Sequence, residues 1–131
     1  MGNSVYKVND KHGLTLLTRL RLNFSDLRDH RFNHHFNCQS ALCKCSIENE
    51  TTEHFLLRCP RFIPQRRVML DSVSDLCKCN VENLSYDAIT KLFLYGDKRY
   101  NSITNKLILE ITIRYLKSSQ RFKNIEAYEN K

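Results

Sequence analysis

The sequence contains no tryptophan and few residues that interrupt regular structure, with only three glycines and two prolines among its 131 residues. So few glycines leave no Gly-rich loop of the kind that holds nucleotide phosphates. No apolar stretch approaches the length of a membrane-spanning helix, and the polar start lacks the apolar segment of a signal peptide. We therefore expect an intracellular protein, in the nucleus, the cytoplasm or both, that is not secreted and does not act at a membrane.

Catalytic patterns are also missing. The chain shows no pair of acidic residues placed on a strand to hold two metal ions, and no convincing pairing of a nucleophile with a base. These absences argue against an enzyme and against a small-molecule substrate. We expect a protein that acts by binding rather than by turnover.

Six cysteines are present, and three of them share one short run with a histidine. Residues 43–59 read CKCSIENETTEHFLLRC, which gives the spacing Cys-x-Cys-x8-His-x4-Cys. Three thiolates and an imidazole are the ligands of a closed tetrahedral zinc site. In a reducing compartment, cysteines are metal ligands or free thiols rather than disulfides. The sequence therefore predicts a Cys3His zinc site made by Cys43, Cys45, His54 and Cys59.

A second Cys-x-Cys pair leaves another ligand set open. Cys77 and Cys79 repeat the pattern and could form a four-cysteine site with Cys43 and Cys45. That set would leave the His-x4-Cys half of the run unused. We therefore favour the Cys3His site, with the second pair as free thiols.

The position of Pro60 bears on how the two halves of the run can meet. His54 and Cys59 are five residues apart, which is roughly 140° around a regular α-helix, so their side chains would diverge. A residue before proline is pushed out of the α region. We expect an extended Cys59 whose sulfur turns back toward His54.

The charge of the chain is strongly positive and uneven. The formal net charge is +7, and the first 67 residues hold 11 Lys and Arg against 6 Asp and Glu. Arginine pairs bidentately with phosphate, so the expected partner is nucleic acid, RNA and/or DNA. Lys44 and Arg58 are also expected to flank the thiolates. The candidate nucleic-acid-binding residues are Arg19, Arg21, Arg28, Arg31, Arg58, Arg61, Arg66 and Arg67.

Apolar spacing and capping residues predict helices over most of the chain. Residues 14–24 carry an apolar stripe, Ser25 is expected to cap a second short helix, and Leu27 and Phe32 are expected to face the core. Further helices are expected to begin at Thr51 or Thr52, at Pro64, at Ser85, and at Ser102 or Thr104, with a stop at Gly96-Asp97.

These signals predict a mostly α fold: a small helical domain stapled by a Cys3His zinc knuckle. We expect a loose N-terminus over residues 1–10 and the basic helices with the knuckle over 11–80. A C-terminal helical pair over 81–122 is expected to pack on them, followed by a polar tail over 123–131.

Three stretches of the sequence together resemble a known family. They are LTRLRLNFSDLRDHRF, then CKC and EHFLLRCPRF, then KLFLYGDKRYNSITNKLILEITIRYLKSSQRF. Their order resembles the C-terminal segment of non-long-terminal-repeat (LINE-type) retrotransposon reverse transcriptases, in which an arginine-bearing helical stretch leads into a Cys/His zinc knuckle. The resemblance covers about residues 14–122. The first cysteine pair is separated by one residue, where many relatives have two or more.

The resemblance implies a module that holds template RNA or target DNA during target-primed reverse transcription. It also implies that the four residues of the Cys3His site are zinc ligands, and that the polymerase part of a retrotransposon protein is a possible partner. The Tyr-x-Asp-Asp motif of the polymerase and the endonuclease are missing, so we expect a fragment or remnant that is not catalytic alone. Two alternatives stay open: a zinc-folded protein-interaction module, and a nuclease or polymerase fragment with residual activity.

Overall fold

The computed structural model describes residues 8–34 and 38–122 of the chain. Helices account for most of them, and the described ranges contain no strand, only an isolated antiparallel bridge between Leu42 and Asn49. The mostly α fold is thereby confirmed. The α-helices are α1 (Lys11–Arg21), α2 (Arg28–Asn33), α3 (Ile63–Cys77), α4 (Tyr86–Tyr95) and α5 (Ser102–Ser118).

Three shorter helical turns complete the described chain. A π-helical turn covers His54–Arg58, and 3-10 turns cover Pro60–Phe62 and Val81–Asn83. Within these ranges no helix is both long enough and apolar enough to cross a membrane.

The core forms around α5, which packs against α1, α3 and α4. Leu17, Phe93 and Ile108 are completely buried there, and each such side chain contributes about 1.5–3 kcal/mol by leaving water. The hydroxyl of Tyr115 in α5 donates a 2.6 Å hydrogen bond to the carbonyl oxygen of Phe55. This bond ties the longest helix to the π-helical turn. The sequence predicted a boundary between two parts of the domain at residue 80. Helix α5 packs against helices on both sides of that boundary, and the boundary itself stays a prediction.

Side-chain caps start most of the helices. Ser85 caps α4 by accepting from the Ala88 amide, as predicted. Asn101 caps α5 by accepting from the Thr104 amide, and the helix begins at Ser102, one of the two predicted starts. Asp10 caps α1 through the Gly13 amide. The last part of the predicted loose segment therefore belongs to the fold, while residues 1–7 and the predicted tail lie outside the described residues.

Gly96 ends α4 in a conformation that other residues adopt poorly. Its φ is +74°, and a Cβ at this position would lie 2.5 Å from Oδ1 of Asn105. That oxygen accepts the Asp97 amide, and the Asn105 side chain donates to the carbonyls of Asp97 and Tyr100. The predicted stop at Gly96 is confirmed, and its physical cause is the close approach of Asn105.

The beginning of α2 differs from the prediction. The Ser25 hydroxyl accepts from the Leu27 amide instead of capping the helix, which begins at Arg28 after Leu27. Leu27 is fully buried as predicted, but Phe32 is 44% exposed rather than in the core. In this short helix the inward face belongs to His30, and a residue two positions later lies on the opposite side of an α-helix.

Candidate metal centre and basic cleft

The four residues predicted to bind metal come together in the structure. The sulfurs of Cys43 and Cys59 are 3.7 Å apart, and the sulfur of Cys45 lies 3.4 Å from Nε2 of His54. All four donor atoms lie within 4.8 Å of one another. They are close enough to bind a single metal ion.

The first cysteine pair lies on a tight loop closed by backbone hydrogen bonds. The amide of Cys43 donates to the carbonyl of Glu48, and the amide of Ser46 donates to the carbonyl of Cys43, both at 2.9 Å. Ser46 has a φ of +67°, so the chain reverses sharply just after Cys45. This reversal lets one short loop present two sulfurs toward the same point.

The second pair meets through the π-helical turn. The amide of Cys59 donates to the carbonyl of His54 at 2.8 Å, a bond between residues five apart. Such a bond places positions separated by five above one another, which a regular α-helix does not. Cys59 itself is extended, with φ −65° and ψ 123°. The extended conformation predicted from Pro60 is confirmed, and the turn begins where the hydroxyl of Thr51 accepts from the His54 amide.

Arg66 supports the π-helical turn from inside the protein. Its Nε donates to the carbonyl of Leu56 at 3.0 Å and its Nη2 donates to the carbonyl of Cys59 at 2.6 Å. Only 7% of the residue is exposed. Buried carbonyls at a helix end need such partners. The sequence placed Arg66 among the nucleic-acid-binding residues. In the structure its side chain is buried against the backbone of the π-helical turn that carries His54.

The protonation of the ligands depends on burial and on nearby donors. Burial raises the pKa of the Cys43 thiol to about 11. Burial also opposes ionisation of Cys45, but hydrogen bonds led by the Ile47 amide outweigh it and lower the pKa of that thiol. Nε of Arg61 donates to the sulfur of Cys59 at 3.4 Å. A bound metal needs thiolates, so its binding here releases protons.

His54 is completely buried and is held by acidic neighbours. Burial lowers the pKa of its imidazole and the charge of Glu48 partly opposes this, which favours the neutral form that binds metals. Nδ1 of the ring lies 3.3 Å from Oε1 of Glu48. The contact is poorly aligned for a hydrogen bond, so the carboxylate acts chiefly through its charge. Arg58 binds both Glu48 and Glu53.

The alternative four-cysteine site does not form. Cys77 ends α3 and Cys79 is exposed in the loop that follows. Within residues 8–34 and 38–122, the one group of three or more possible metal ligands that lie close together is the Cys3His set.

Glu50 is a buried charged residue of the site region that the sequence did not indicate. Its carboxylate is 1% exposed and accepts from Nε and Nη2 of Arg121 at 2.8 and 2.7 Å, from Nη2 of Arg61 at 2.9 Å, and from the amide of Arg28 at 2.8 Å. Burial alone would raise the pKa of Glu50, but these donors, Arg121 foremost, outweigh it and lower that pKa. Glu50 therefore remains ionised beside the loop that carries Cys43 and Cys45.

Several of the predicted nucleic-acid-binding arginines have partners within the protein. Nε of Arg21 donates to the carbonyl of Leu94 at 2.6 Å. Arg67 pairs with Asp71 and Glu82 on the surface. Arg58 pairs with acidic residues beside His54, as described above. Arg19 lies in the last turn of α1 and is partly buried.

The remaining predicted arginines come together in one depression of the surface. We call it the basic cleft, and its volume is about 580 Å³. Its cationic residues are Arg28, Arg31, Lys44, Arg61 and Arg121, and its carboxylates belong to Asp26 and Glu50. Lys44 and Arg121 were not among the predicted nucleic-acid-binding residues. Arg121 carried no signal because its place depends on the packing of α5.

Comparisons with known proteins return no relative: no family model, no curated protein and no solved structure matches this chain.

Proposed function

We propose that the protein is a zinc-stabilised nucleic-acid-binding module that is not catalytic by itself. The observation that carries this proposal is the position of Arg61, which connects the metal centre to the basic cleft. Its Nε lies beside the sulfur of Cys59, while the same guanidinium lines the cleft. A metal that fixes Cys59 therefore also fixes part of a cationic surface.

Zinc is the metal that fits the four donors best. With Zn–S near 2.3 Å and Zn–N near 2.0–2.1 Å, tetrahedral geometry places two sulfurs about 3.8 Å apart and a sulfur and nitrogen about 3.5 Å apart. The separations here are 3.7 Å between Cys43 and Cys59 and 3.4 Å between Cys45 and His54. Four protein ligands leave no open position, which is typical of a structural rather than a catalytic zinc site.

Replacing Glu48 by glutamine is expected to weaken zinc binding about 10- to 100-fold, the usual cost of losing a residue that supports a metal ligand. The negative charge of the carboxylate beside Nδ1 makes the His54 ring a better ligand for a cation, and glutamine removes that charge. Competition with a chromophoric zinc chelator measures the affinity. Glu53→Gln is the matched control, since Glu53 also binds Arg58. Equal losses in both variants would show that Glu48 acts through Arg58 alone.

The resemblance to LINE-type reverse transcriptases suggests the setting of this activity. We propose that the module holds template RNA or target DNA during target-primed reverse transcription, together with the polymerase part of a retrotransposon protein. In support, the basic helices α1 and α2 precede the Cys3His set along the chain. That order is the one the family has.

Binding to single-stranded RNA is expected to weaken steeply with salt. Three to five phosphate contacts would give a slope of about −2 to −3.5 in a plot of log K against log salt, at about −0.7 for each contact. Fluorescence anisotropy of labelled RNA and DNA oligonucleotides, with zinc-loaded protein over a salt series, measures this slope. Negligible affinity for both nucleic acids at low salt would rule the proposal out.

A zinc-folded protein-interaction module is the second candidate function. A groove of about 280 Å³ lies between α3 and α5, and its lining is largely apolar, including Met69 and Ile111. Val68 on its rim is 60% exposed. An apolar surface would bind its partner with little dependence on salt, so the same salt series separates the two candidates.

A further inference from the structure

We infer that the basic cleft binds one phosphodiester group of a nucleic-acid strand, and that Arg28, Lys44, Arg61 and Arg121 hold it. The inference rests on the proposed function and deepens it. It places the strand at one end of the fold, where the loop that carries Lys44 meets the segment after α5.

Two of the four cations are already positioned for a ligand. Glu50 binds one edge of Arg61 and one edge of Arg121, and Nη2 of Arg121 also donates to the carbonyl of Asp26. A guanidinium carries five N–H donors. Within the described ranges the Nη1 groups of both arginines make no hydrogen bond, so they remain available to an anion. Because Glu50 fixes both side chains in advance, a ligand orders little when it binds.

The other two cations have no charge partner in the part of the chain that the structure describes. Nε of Arg28 is buried and makes no hydrogen bond there. A buried donor without a partner is unfavourable unless a ligand or water satisfies it. Lys44 is exposed at the rim of the same cleft. Both residues line the cleft, so an anion bound there would lie beside both positive charges.

The charge of the lining favours an anion despite the two carboxylates. Five cationic residues face two acidic ones, an excess of three positive charges. The carboxylate of Glu50 is 1% exposed and already accepts from its three partners, so it offers little repulsion to a ligand.

The cleft is suited to a backbone phosphate rather than to a base. Its aromatic residue, Phe62, is 7% exposed and packs edge-on against Phe55. The guanidinium of Arg61 covers the same ring, with its carbon 4.8 Å from the ring centre. Among the cleft residues that the structure describes, no aromatic face is therefore open for a base to stack on. Phosphate contacts of this kind position a strand without reading its sequence.

A charge-matched pair of double variants tests the site. Arg28→Gln with Lys44→Gln removes two positive charges from the cleft. Lys98→Gln with Lys106→Gln removes two elsewhere, since Lys106 lies in the first turns of α5 and the cleft is beyond its last turn. In the RNA anisotropy assay we expect at least a tenfold loss of affinity for the cleft variant at low salt. Its salt slope should be shallower by up to about 0.7, the share of one phosphate contact, with little change in the control.

The possible outcomes separate the two proposals. If the wild-type protein binds RNA and both double variants bind it equally more weakly, the inference that the cleft holds the strand is wrong. The proposed function would still stand. Wild-type protein that binds neither RNA nor DNA would overturn the proposed function and, with it, the strand in the cleft.

A direct measurement on the wild-type protein distinguishes a strand from free phosphate. The Nε–Hε resonance of Arg28, observed by NMR, is expected to shift on addition of single-stranded RNA. It should shift far less with inorganic phosphate at the same phosphate concentration. An equal response to both would show a site for free phosphate and overturn the inference. An unchanged resonance at saturating RNA would place the strand elsewhere.

Discussion

Replacing Cys59 by serine is expected to abolish stoichiometric zinc binding and to unfold the centre of the domain. Structural zinc contributes about 10–16 kcal/mol in small zinc-finger peptides, which is comparable to the whole stability of a typical domain. Cys59 also closes the π-helical turn that carries the fully buried Phe55. We expect loss of helical circular dichroism and of cooperative unfolding. His54→Ala should have the same effect, because it removes a ligand from the other end of the turn.

Two controls make this prediction specific to the metal. Cys79→Ser replaces an exposed cysteine outside the cluster, so its zinc content and unfolding midpoint should match those of the wild type. Wild-type protein treated with a strong chelator should resemble Cys59→Ser. If the chelator leaves the wild type folded while the serine variant unfolds, Cys59 acts through packing and not as a ligand. Zinc at one ion per chain in both ligand variants would contradict the assigned site.

Replacing Glu50 by glutamine is expected to lower the free energy of unfolding by about 3 kcal/mol. Removing one partner of a buried ion pair typically costs about 3–5 kcal/mol, because the other charge stays uncompensated. The lower end applies here, since the side chains of Arg61 and Arg121 are 28% and 21% exposed and can regain some water. Urea unfolding of the zinc-loaded protein measures the change.

The matched control for Glu50 is Glu82→Gln. Glu82 also pairs with an arginine, Arg67, but both side chains are more than 40% exposed. Exposed pairs contribute about 0–1 kcal/mol, so this variant should differ little from the wild type. Equal effects of the two substitutions would show that burial of Glu50 adds nothing to its contribution.

The stability that Glu50 provides has a defined dependence on pH. Its pKa is lowered in the folded state, so its contribution is fully present above the ordinary glutamate pKa of about 4.3. It is lost as the pH falls through the lower folded-state value. The difference in stability between wild type and Glu50→Gln should therefore narrow in acid. Protonation of the metal ligands affects both proteins alike, so a constant difference would contradict an ionised Glu50.

Local signals in the sequence predicted much of the fold and the ligand set. Thr51 and Ser85 each accept from an amide three residues later, and Pro60 acts on the residue before it. The ligands could be recognised because the chain from Cys43 to Cys59 is short, and because thiolate and imidazole chemistry leaves few other functions for such a cluster. Whether the chain belongs to the retrotransposon family stays a prediction.

The roles of individual arginines could not be predicted in this way. Arg66 donates hydrogen bonds to buried carbonyls, and Arg61 donates to a sulfur and a carboxylate. In the sequence, however, both are simply arginines of one basic stretch. Which role applies depends on the tertiary structure around each side chain. The π-helical turn was missed for a related reason: periodicity alone predicts a regular helix, whereas the carbonyls of the wider turn are bonded by Arg66 from α3.

The link from Glu50 to Arg121 also says something about the order in which the chain can assemble. The two sulfurs of Cys43 and Cys59 are 16 residues apart in sequence, whereas Glu50 and Arg121 are 71 residues apart. Closing a longer loop costs more entropy, so distant contacts tend to form after local ones. Metal loading is thus a local event that can precede the docking of α5. The cleft is complete only after α5 has docked, because Arg121 follows that helix.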